Sequence, residues 1–324
     1  MKQLIKKIVG KAPPVKRVLD HKIVLQKEND SLREANESLQ RANAQLEKYR
    51  TWAMPGHFNS PIPDIADIKK RAKDIFKLPP SKDLVGIDIN EKRQLELLKA
   101  FRQYYPQIPF SAREKPDLRF YYVNDWFSYG DAIALYSFIR HFRPKRIIEA
   151  GSGFSSAAIL DINDRFFDGK IKCSFVEPYT ERLKTLLRKS DAASQIVEKR
   201  VELIDLKFFD QLQENDILFI DSSHISKTGS DLNTLLLEVL PRLNKGVLIH
   251  FHDVFYPFEY PKVWVYDGHA WNEDYMLRAF LTFNEQFSIE FFSSYLSNFH
   301  ADKLNKNLPD FMKLAGGSLW LRRN

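Results

Sequence analysis

Residues 146–156 read Arg-Ile-Ile-Glu-Ala-Gly-Ser-Gly-Phe-Ser-Ser. The isoleucine pair is typical of the end of a buried strand, and the acid Glu149 follows it directly. Two glycines one residue apart, Gly151 and Gly153, then lead into a run that favours a helix. A strand that turns through Gly-x-Gly into a helix brings bare backbone close to a ligand at the carboxyl edge of a sheet. The segment therefore predicts a binding loop.

Three further apolar runs, each ending in a polar group, follow this loop. They span residues 172–177, 216–221 and 246–253, and helical patterns over residues 179–190 and 231–243 separate them. Strands that alternate with helices predict a parallel sheet covered on both faces. The polar groups at the strand ends then line one crevice, which is where open α/β sheets bind ligands.

The motif Glu149-x-Gly-x-Gly, with the acid Glu177 ending the next strand, resembles that of the class I S-adenosylmethionine-dependent methyltransferases. The resemblance covers roughly residues 126–322. It implies an α/β fold, a Rossmann-like seven-stranded methyltransferase sheet with helices on both faces. Residues 287–293 and 318–322 are expected to be its last strands, and the resemblance implies that the final one runs antiparallel.

The resemblance also implies S-adenosyl-L-methionine as the cofactor. Glu177 then accepts hydrogen bonds from the ribose hydroxyls, as an ionised carboxylate does well. The implied contacts on the glycine loop are Glu149, Gly151, Ser152 and Gly153. A nicotinamide fingerprint requires a third glycine where this chain has Ser156, which disfavours that alternative.

Two other places are candidates for cofactor contacts. The turn Gly130-Asp131 resembles one in catechol O-methyltransferase-like enzymes that closes over the methionine end of the cofactor. Asp131 as a plain helix N-cap is the alternative, and both remain open. Asp205 ends residues 201–205, the expected third strand, and is a candidate for the adenine edge.

The motif Asp221-Ser-Ser-His224 is the clearest catalytic candidate. A residue three beyond the acid of the fourth strand is where the metal-dependent O-methyltransferases that the chain resembles carry their general base. Histidine suits this role because its unperturbed pKa is about 6.5. The alternative is that His224 caps the next helix or bonds Asp231. Asp221 and Asp253 are expected to position the acceptor oxygen.

A divalent metal is a further hypothesis. The metal-dependent relatives place an acid pair at the end of the fifth strand, and together with Asp221 this predicts a centre of Asp221, His252 and Asp253. His252 stands where an acid is expected, whereas Mg²⁺ prefers oxygen ligands. Mn²⁺ and the absence of any metal therefore stay open beside Mg²⁺.

Dense aromatic residues follow the fifth strand and predict a substrate lid. Aromatic faces stack on sugar or aryl rings, and nearby polar groups can bond hydroxyls. The candidate acceptor contacts are Tyr256, Trp264, Trp271, Asn272 and Glu273. Core packing under a loop is the alternative for some of them. The run 255–261 contains two prolines and is not expected to form a strand.

The N-terminal part has three predicted segments: a basic amphipathic tail over residues 1–17, a coiled-coil helix over 18–50 and a proline-rich cap or linker over 51–125. The coiled coil is indicated by a heptad of apolar residues with asparagines three positions before a leucine, which favours a parallel homo-dimer. The heptad residues are Val18, Leu25, Leu32, Leu39 and Leu46, with Asn29, Asn36 and Asn43 at the polar positions. A single helix leaning on the body is the alternative.

The chain carries a net charge of +7, most of it in one place. Residues 1–22 hold seven basic residues against one acid, so the remaining chain is near neutral and disfavours a nucleic-acid partner. The basic tail is compatible with an anionic membrane surface or with a disordered arm. A single cysteine, Cys173, fits a cytoplasmic protein, membrane-associated at most at its inner surface.

Together these features predict a methyltransferase acting on a hydroxyl of a small molecule or glycan. The glycan expectation comes from a resemblance of the fifth-strand region to bacterial sugar O-methyltransferase-like enzymes. A different class of function is kept open, a cofactor-binding scaffold whose coiled coil recruits glycan-assembly partners. The set of charged residues at the strand ends argues against it, because an inert scaffold does not need them.

Overall fold

The computed structural model describes residues 13–47, 52–188, 191 and 194–324. The predicted membrane contact of the basic tail rests on residues 1–12, which lie outside the described residues, as does the side chain of Leu46. The chain divides into two compact units, with the boundary between Asp64 and Ile65. None of the described helices is long and apolar enough to cross a membrane.

The first unit contains the long helix α1, Pro13–Glu47, which begins before position 18 where the coiled coil was expected to start. Its apolar heptad residues project into solvent from the single chain. The exposed fractions are 69% for Val18, 51% for Leu25, 70% for Leu32 and 64% for Leu39. A helix with an exposed apolar stripe is what a coiled-coil partner would cover, and pairing itself stays a prediction.

The second unit is built on a sheet of seven strands in the order β3-β2-β1-β4-β5-β7-β6. The strands are β1 Arg146–Ala150, β2 Lys172–Val176, β3 Gln195–Val197, β4 Ile217–Ile220, β5 Leu248–Phe251, β6 Phe287–Phe292 and β7 Leu319–Arg323. β1 to β5 pair in parallel, and β7 inserts antiparallel between β5 and β6. This confirms the Rossmann-like seven-stranded sheet and its antiparallel last strand.

Helices cover this sheet. They are α2 Ile65–Lys70, α3 Ala72–Ile75, α4 Glu91–Phe101, α5 Tyr129–Phe142, α6 Phe154–Phe167, α7 Glu181–Leu186, α8 Asp231–Asn233, α9 Lys262–Tyr266, α10 Glu273–Leu281, α11 Ser293–Phe299 and α12 Ala301–Asn307. Every residue of β4 and β5 is buried. Since successive side chains of a strand point to opposite faces, both faces of the central sheet are covered.

Two predicted elements differ from those in the structure. The third strand is Gln195–Val197, and residues Val201–Leu203 form a 3-10 turn instead of a strand. The helix expected over 231–243 is a composite, in which α8 continues into the π-helical segment Thr234–Val239 and the 3-10 turn Leu240–Arg242. Pro241 accounts for the tight end, because it lacks the N–H that a regular helix needs there. No strand forms over 255–261, as expected.

Residues 65–125 share the hydrophobic core of the sheet. Leu97, Leu98, Phe101 and Phe120 are at most 1% exposed and belong to the same cluster as the strands. The buried Gln94 joins them by donating to the carbonyl of Ile89 and accepting from the backbone N–H of Phe292 in β6. This part of the chain therefore packs as one body with the sheet.

Candidate active site

The main cleft lies at the carboxyl ends of β1 and β4, where the strand order reverses. Open α/β sheets bind ligands at this position because the connecting loops diverge there. Two adjoining cavities of about 360 and 370 Å³ make up the cleft. Both are lined by Gly151, Glu177, Tyr179, Asp221, Ser222 and Ser223.

Gly151 brings the loop after β1 against the end of β4. Its φ is +82°, and a Cβ placed there would lie 1.6 Å from the carbonyl oxygen of Asp221. The backbone N–H of Asp221 in turn donates to the carbonyl of Ala150 at 2.8 Å. Any larger residue at 151 would force the two strand ends apart, which explains why a glycine is needed here.

Glu149 lies beneath the loop and does not line the cleft, so its predicted contact with the cofactor was wrong. Its side chain is fully buried, and its oxygens accept from the hydroxyls of Ser155 and Ser156 at 2.5 Å each. Burial raises the pKa of Glu149 to about 8, although these two hydrogen bonds act to lower it. Ser156 also accepts from the N–H of Gly153 at 3.0 Å, so the serine in place of the third glycine closes the loop.

Glu177 does lie in the cleft, together with Gly151, Ser152 and Gly153. Its carboxylate accepts from the N–H of Ser152 at 3.0 Å and from that of Tyr179 at 2.8 Å. Each oxygen keeps lone pairs for a further donor. The hydroxyls of Ser152 and Ser222 are buried and have no hydrogen-bond partner among the described residues. This donor and acceptor set fits the ribose and the amino-acid end of S-adenosylmethionine.

One cavity extends from Glu177 towards the loop after β3, where the adenine edge was expected to meet Asp205. That expectation was wrong, because the Asp205 carboxylate accepts from the backbone N–H of Lys207 at 3.0 Å and caps its own turn. Arg200, Val201 and Glu202 line the cavity instead. The shift of the third strand to 195–197 places these residues at its exit.

His224 stands at the other cavity, beyond the end of β4. Its Nδ1 lies 2.7 Å from Oε2 of Glu273, and its Nε2 lies 3.5 Å from Oδ1 of Asp221. The alternative of a bond to Asp231 is wrong, since Asp231 accepts from the backbone and hydroxyl of Ser223. His224 therefore bridges a buried carboxylate and one that faces the cleft.

The surroundings of His224 set both its orientation and its charge. Its ring stacks on Trp271 with a centroid distance of 4.3 Å, and its φ of +59° is uncommon for a residue other than glycine. Burial alone would lower the pKa of His224, but its bonds to Asp221 and Glu273 outweigh burial and hold that pKa well above its usual value. Strained backbone of this kind persists where the surroundings enforce it.

His252 is enclosed by carboxylates. Its Nε2 lies 3.6 Å from Asp253 and its Nδ1 lies 4.0 Å from Asp131. Burial lowers its pKa, but the charges of Asp253, Asp221 and Asp131 prevail and raise it to about 9.

The structure does not bring Asp221, His252 and Asp253 together as the predicted metal centre. Among the residues that the structure describes, no group of three or more His, Cys, Asp or Glu side chains is arranged to hold a metal ion. His252 instead serves as a buried positive charge between the ends of β4 and β5. It balances the carboxylates that line this side of the cleft.

Gly130 and Asp131 lie behind the cleft, which corrects their assignment to the cofactor. Asp131 accepts from the N–H of Gly317 at 3.1 Å and from the hydroxyl of Ser318 at 2.6 Å. It is also not an N-cap, because it lies inside α5. A Cβ at Gly130 would lie 2.2 Å from the carbonyl oxygen of Ala315, so this glycine allows α5 to approach the segment before β7.

Of the predicted acceptor contacts, only Trp271 lines the cleft. The hydroxyl of Tyr256 donates to the carbonyls of Ser81 and Lys82, and its ring lines a separate cavity. Asn272 bonds the backbone of Ser226 in both directions. Trp264 packs edge-on against Trp271, and Glu273 lies behind His224. These four residues, Tyr256, Asn272, Trp264 and Glu273, therefore bond or pack against other parts of the protein and do not line the cleft.

Three residues that sequence reasoning missed also line the cleft: Trp126, Tyr179 and Arg182. The guanidinium carbon of Arg182 lies 3.9 Å from the ring centroid of Trp126. Tyr179 and Arg182 follow Glu177 closely along the chain, and this proximity to the predicted ribose acid was the available signal. Trp126 comes from the segment before α5, and only folding brings it to the cleft.

Comparison with known proteins agrees with this geometry. The family described as "Methyltransferase domain" matches residues 148–254, which include the glycine loop, Glu177, His224 and Asp253. A protein of Archaeoglobus fulgidus described as uncharacterized is 36% identical over 168 residues, covering 50% of this chain and 75% of that protein.

Solved structures also match the chain, and two of them are described next. One is an S-adenosylhomocysteine-bound methyltransferase of Podospora anserina, at 16% identity and a TM-score of 0.39, covering 82% of this chain and 100% of that one. The other is an O-methyltransferase of Streptomyces achromogenes involved in tomaymycin synthesis, in complex with S-adenosylmethionine, at 14% identity and a TM-score of 0.38, covering 80% and 96%. From the family match over the cleft and the Archaeoglobus relative, the chain belongs to the class I S-adenosylmethionine-dependent methyltransferase family.

Proposed function

We propose that this methyltransferase transfers the methyl group to a hydroxyl oxygen, with His224 as the general base. The observation that carries the proposal is the Asp221–His224–Glu273 arrangement, in which Glu273 bonds Nδ1 at 2.7 Å and Nε2 lies on the cleft side. A hydroxyl needs a base at hydrogen-bond distance when its oxygen attacks. Transfer of the methyl group to a sulfur or to an activated carbon would require a different arrangement of residues.

S-adenosylmethionine supplies, when bound, an electrophilic methyl group on a positively charged sulfur. The glycine loop and Glu177 hold the cofactor, with Glu177 accepting from the ribose hydroxyls. His224 accepts the acceptor's hydroxyl proton at Nε2 while Nδ1–H donates to Glu273, which stabilises the resulting imidazolium. The acceptor oxygen would form its new bond to the methyl carbon with the electron pair of the former O–H bond. The bond between the methyl carbon and sulfur would break at the same time, with its electron pair staying on the sulfur of the departing S-adenosylhomocysteine.

Asp221 and Asp253 orient the acceptor hydroxyl in this proposal. Both line the cavity that contains His224, and Asp253 has a left-handed backbone conformation with a φ of +57°. Their negative charges also favour a cationic sulfur nearby. The charge of the buried His252 helps to hold the pKa of Asp221 below its usual value, against the effect of burial.

The acceptor class follows from the rim of the cleft. Trp271, Trp126 and Tyr179 present aromatic surface there, and such faces stack on flat aryl rings and on the apolar faces of sugars. We therefore propose a ring-bearing small molecule or glycan as the acceptor. We also propose that the exposed heptad face of α1 pairs two or more copies of the chain.

Isothermal titration tests the cofactor. S-adenosylhomocysteine and S-adenosylmethionine are titrated into the full chain beside an NAD control, each with and without Mg²⁺ or Mn²⁺. Micromolar binding of S-adenosylhomocysteine and none of NAD is the expected result. If folded protein binds neither adenosyl compound, the proposal fails.

The base is tested by His224→Gln in a screen of hydroxylated acceptors. The variant is expected to bind S-adenosylhomocysteine as the wild type does and to lose turnover by about 10²- to 10⁴-fold, the usual contribution of a positioned base. Undiminished turnover in the variant would remove His224 from the mechanism. His57→Gln is the matched control, since His57 is exposed in the first unit, where its Nδ1 accepts from the backbone N–H of Asn59.

A further inference from the structure

Arg182 is a positive charge that lines the cleft and forms no ion pair with a carboxylate of the described residues. It lies in α7, directly after the loop that carries Glu177, and lines the cavity that contains His224. Among the described residues no carboxylate is within ion-pair distance of its guanidinium, whereas Arg119, Arg165 and Arg242 each have one. A guanidinium oriented into a binding cleft and left without an internal anion is suited to an anion of the ligand.

The side chain of Arg182 is held in place by its neighbours. The guanidinium carbon lies 3.9 Å from the ring centroid of Trp126, within the range of a cation–π contact. Its Cδ lies 3.4 Å, and its Nη1 3.7 Å, from the position that a Cβ on Gly153 would occupy. The ring of Trp126 therefore supports the guanidinium, and the absence of a side chain at Gly153 leaves room for it beside the second glycine of the loop.

The groups around this position are those that a carboxylate needs. The hydroxyl of Ser152 is buried without a partner among the described residues, and the cavity is also lined by the first residues of α6, whose backbone donors carry partial positive charge. Of the acids that line the cavity, Asp221 meets His224 and Asp253 meets His252, while Glu177 accepts from the backbone N–H of Ser152 at 3.0 Å. The guanidinium of Arg182 and the hydroxyl of Ser152 are therefore available to an anionic group of the ligand.

We propose that Arg182, held by Trp126, binds the α-carboxylate at the methionine end of the cofactor, with Ser152 as a second donor. The inference rests on the proposed cofactor and deepens it. A planar guanidinium can take both oxygens of a carboxylate at once, which gives orientation as well as affinity. Arg182 is then a residue that binds the cofactor and sets the position of the cofactor's sulfur along the glycine loop.

The test compares two ligands that differ only in this group, S-adenosylhomocysteine and its decarboxylated analogue, by isothermal titration into the full chain. The wild type is expected to prefer S-adenosylhomocysteine. In Arg182→Met this ligand is expected to bind about 10- to 100-fold more weakly, the range for a charge-assisted pair, while the analogue is unaffected. Arg182→Lys, which keeps the charge and loses the planar fork, is expected to fall between the two.

Lys184→Met is the matched control. It removes one positive charge from the same helix, where Lys184 pairs with Glu198 outside the cleft, and is expected to leave the preference unchanged. A wild type without preference, or an Arg182→Met variant that keeps the full preference, overturns the inference while the cofactor proposal stands. Binding of neither ligand to the wild type overturns the proposed function itself.

Discussion

His224 is controlled by a residue that was expected to contact the acceptor. Glu273 is 1% exposed, and its carboxylate lies 2.7 Å from Nδ1 of His224. It therefore contacts the His224 ring from the interior of the protein. A buried carboxylate on one nitrogen fixes the tautomer and leaves the other nitrogen for the reacting proton. Asp221 on the far side adds to the preference for the charged form.

The raised pKa of His224 predicts the pH dependence of turnover. Only the neutral ring accepts a proton, so kcat/KM is expected to rise with pH above neutrality until the raised pKa is passed. In Glu273→Gln the negative charge beside His224 is lost, so the pKa of His224 falls. The increase in kcat/KM is then expected at lower pH. The plateau is also expected to fall by about 10- to 100-fold, because the imidazolium is less stabilised. A pH–rate profile of both proteins measures these changes.

Glu259→Gln serves as the control for that profile. It makes the same chemical change in the neighbouring loop, where Glu259 accepts from the hydroxyl of Tyr275 at 2.7 Å and does not touch His224. Its profile is expected to overlay that of the wild type. A Glu273→Gln profile with an unmoved rise would show that Glu273 has only a structural role.

The helix α1 differs from the other helices in leaving its apolar side chains exposed. Four heptad residues of α1 are at least 51% exposed, an arrangement that costs stability unless another chain covers them. A variant lacking residues 1–50 is expected to sediment as a monomer, whereas the full chain sediments as a larger species. Equal sedimentation of the two proteins would contradict pairing through α1.

The chain before α5 is attached to α6 by a buried ion cluster. The guanidinium of Arg119 contacts Asp161 at 2.8 Å and Asp164 at 2.9 Å, and also reaches Asp191. The backbone N–H groups of Arg119 and Phe120 donate to Asp161 as well. The cluster thereby positions the chain that leads on to Trp126 and the cleft.

Arg119→Met is expected to destabilise the protein by about 3–5 kcal/mol, because it leaves buried carboxylates without their counter-charge. Urea unfolding followed by circular dichroism measures the loss. The matched control is Arg165→Met, which breaks the solvent-exposed pair with Asp117 and is expected to cost about 1 kcal/mol or less. Equal effects of the two substitutions would show that the buried cluster contributes little.

The second unit extends well before the sheet. Leu97, Leu98 and Phe101 of α4 belong to the same core as the strands. The boundary between the two compact units lies between Asp64 and Ile65, and not near residue 125. Residues 65–324 are therefore expected to fold alone, with a cooperative thermal transition. Residues 126–324 are expected to aggregate or stay unfolded, because the core surface under α4 is then exposed. Calorimetry of the two proteins distinguishes these outcomes, and a cooperative transition of the shorter one would contradict the shared core.

Local sequence was enough to predict the sheet and the glycine loop. Strand ends and Gly-x-Gly turns are set by residues near each other in the chain, so Gly151, Glu177, Asp221 and His224 could be assigned to one crevice. Gly151 was expected to allow close approach, and it lies against the carbonyl of Asp221.

Which side chains face the cleft was decided only by the tertiary structure. Glu149, Asp131 and Tyr256 are residue types that binding sites use, yet each bonds another part of the protein. Asp131 and Tyr256 bond residues far along the chain, Ser318 and Ser81, whereas Glu149 bonds the nearby Ser155 and Ser156 under the loop. Trp126 and Arg182 looked unremarkable along the chain and meet only in the fold. The physical reason is that a polar side chain is satisfied by whichever partner folding brings within hydrogen-bond distance, and sequence spacing does not contain that distance.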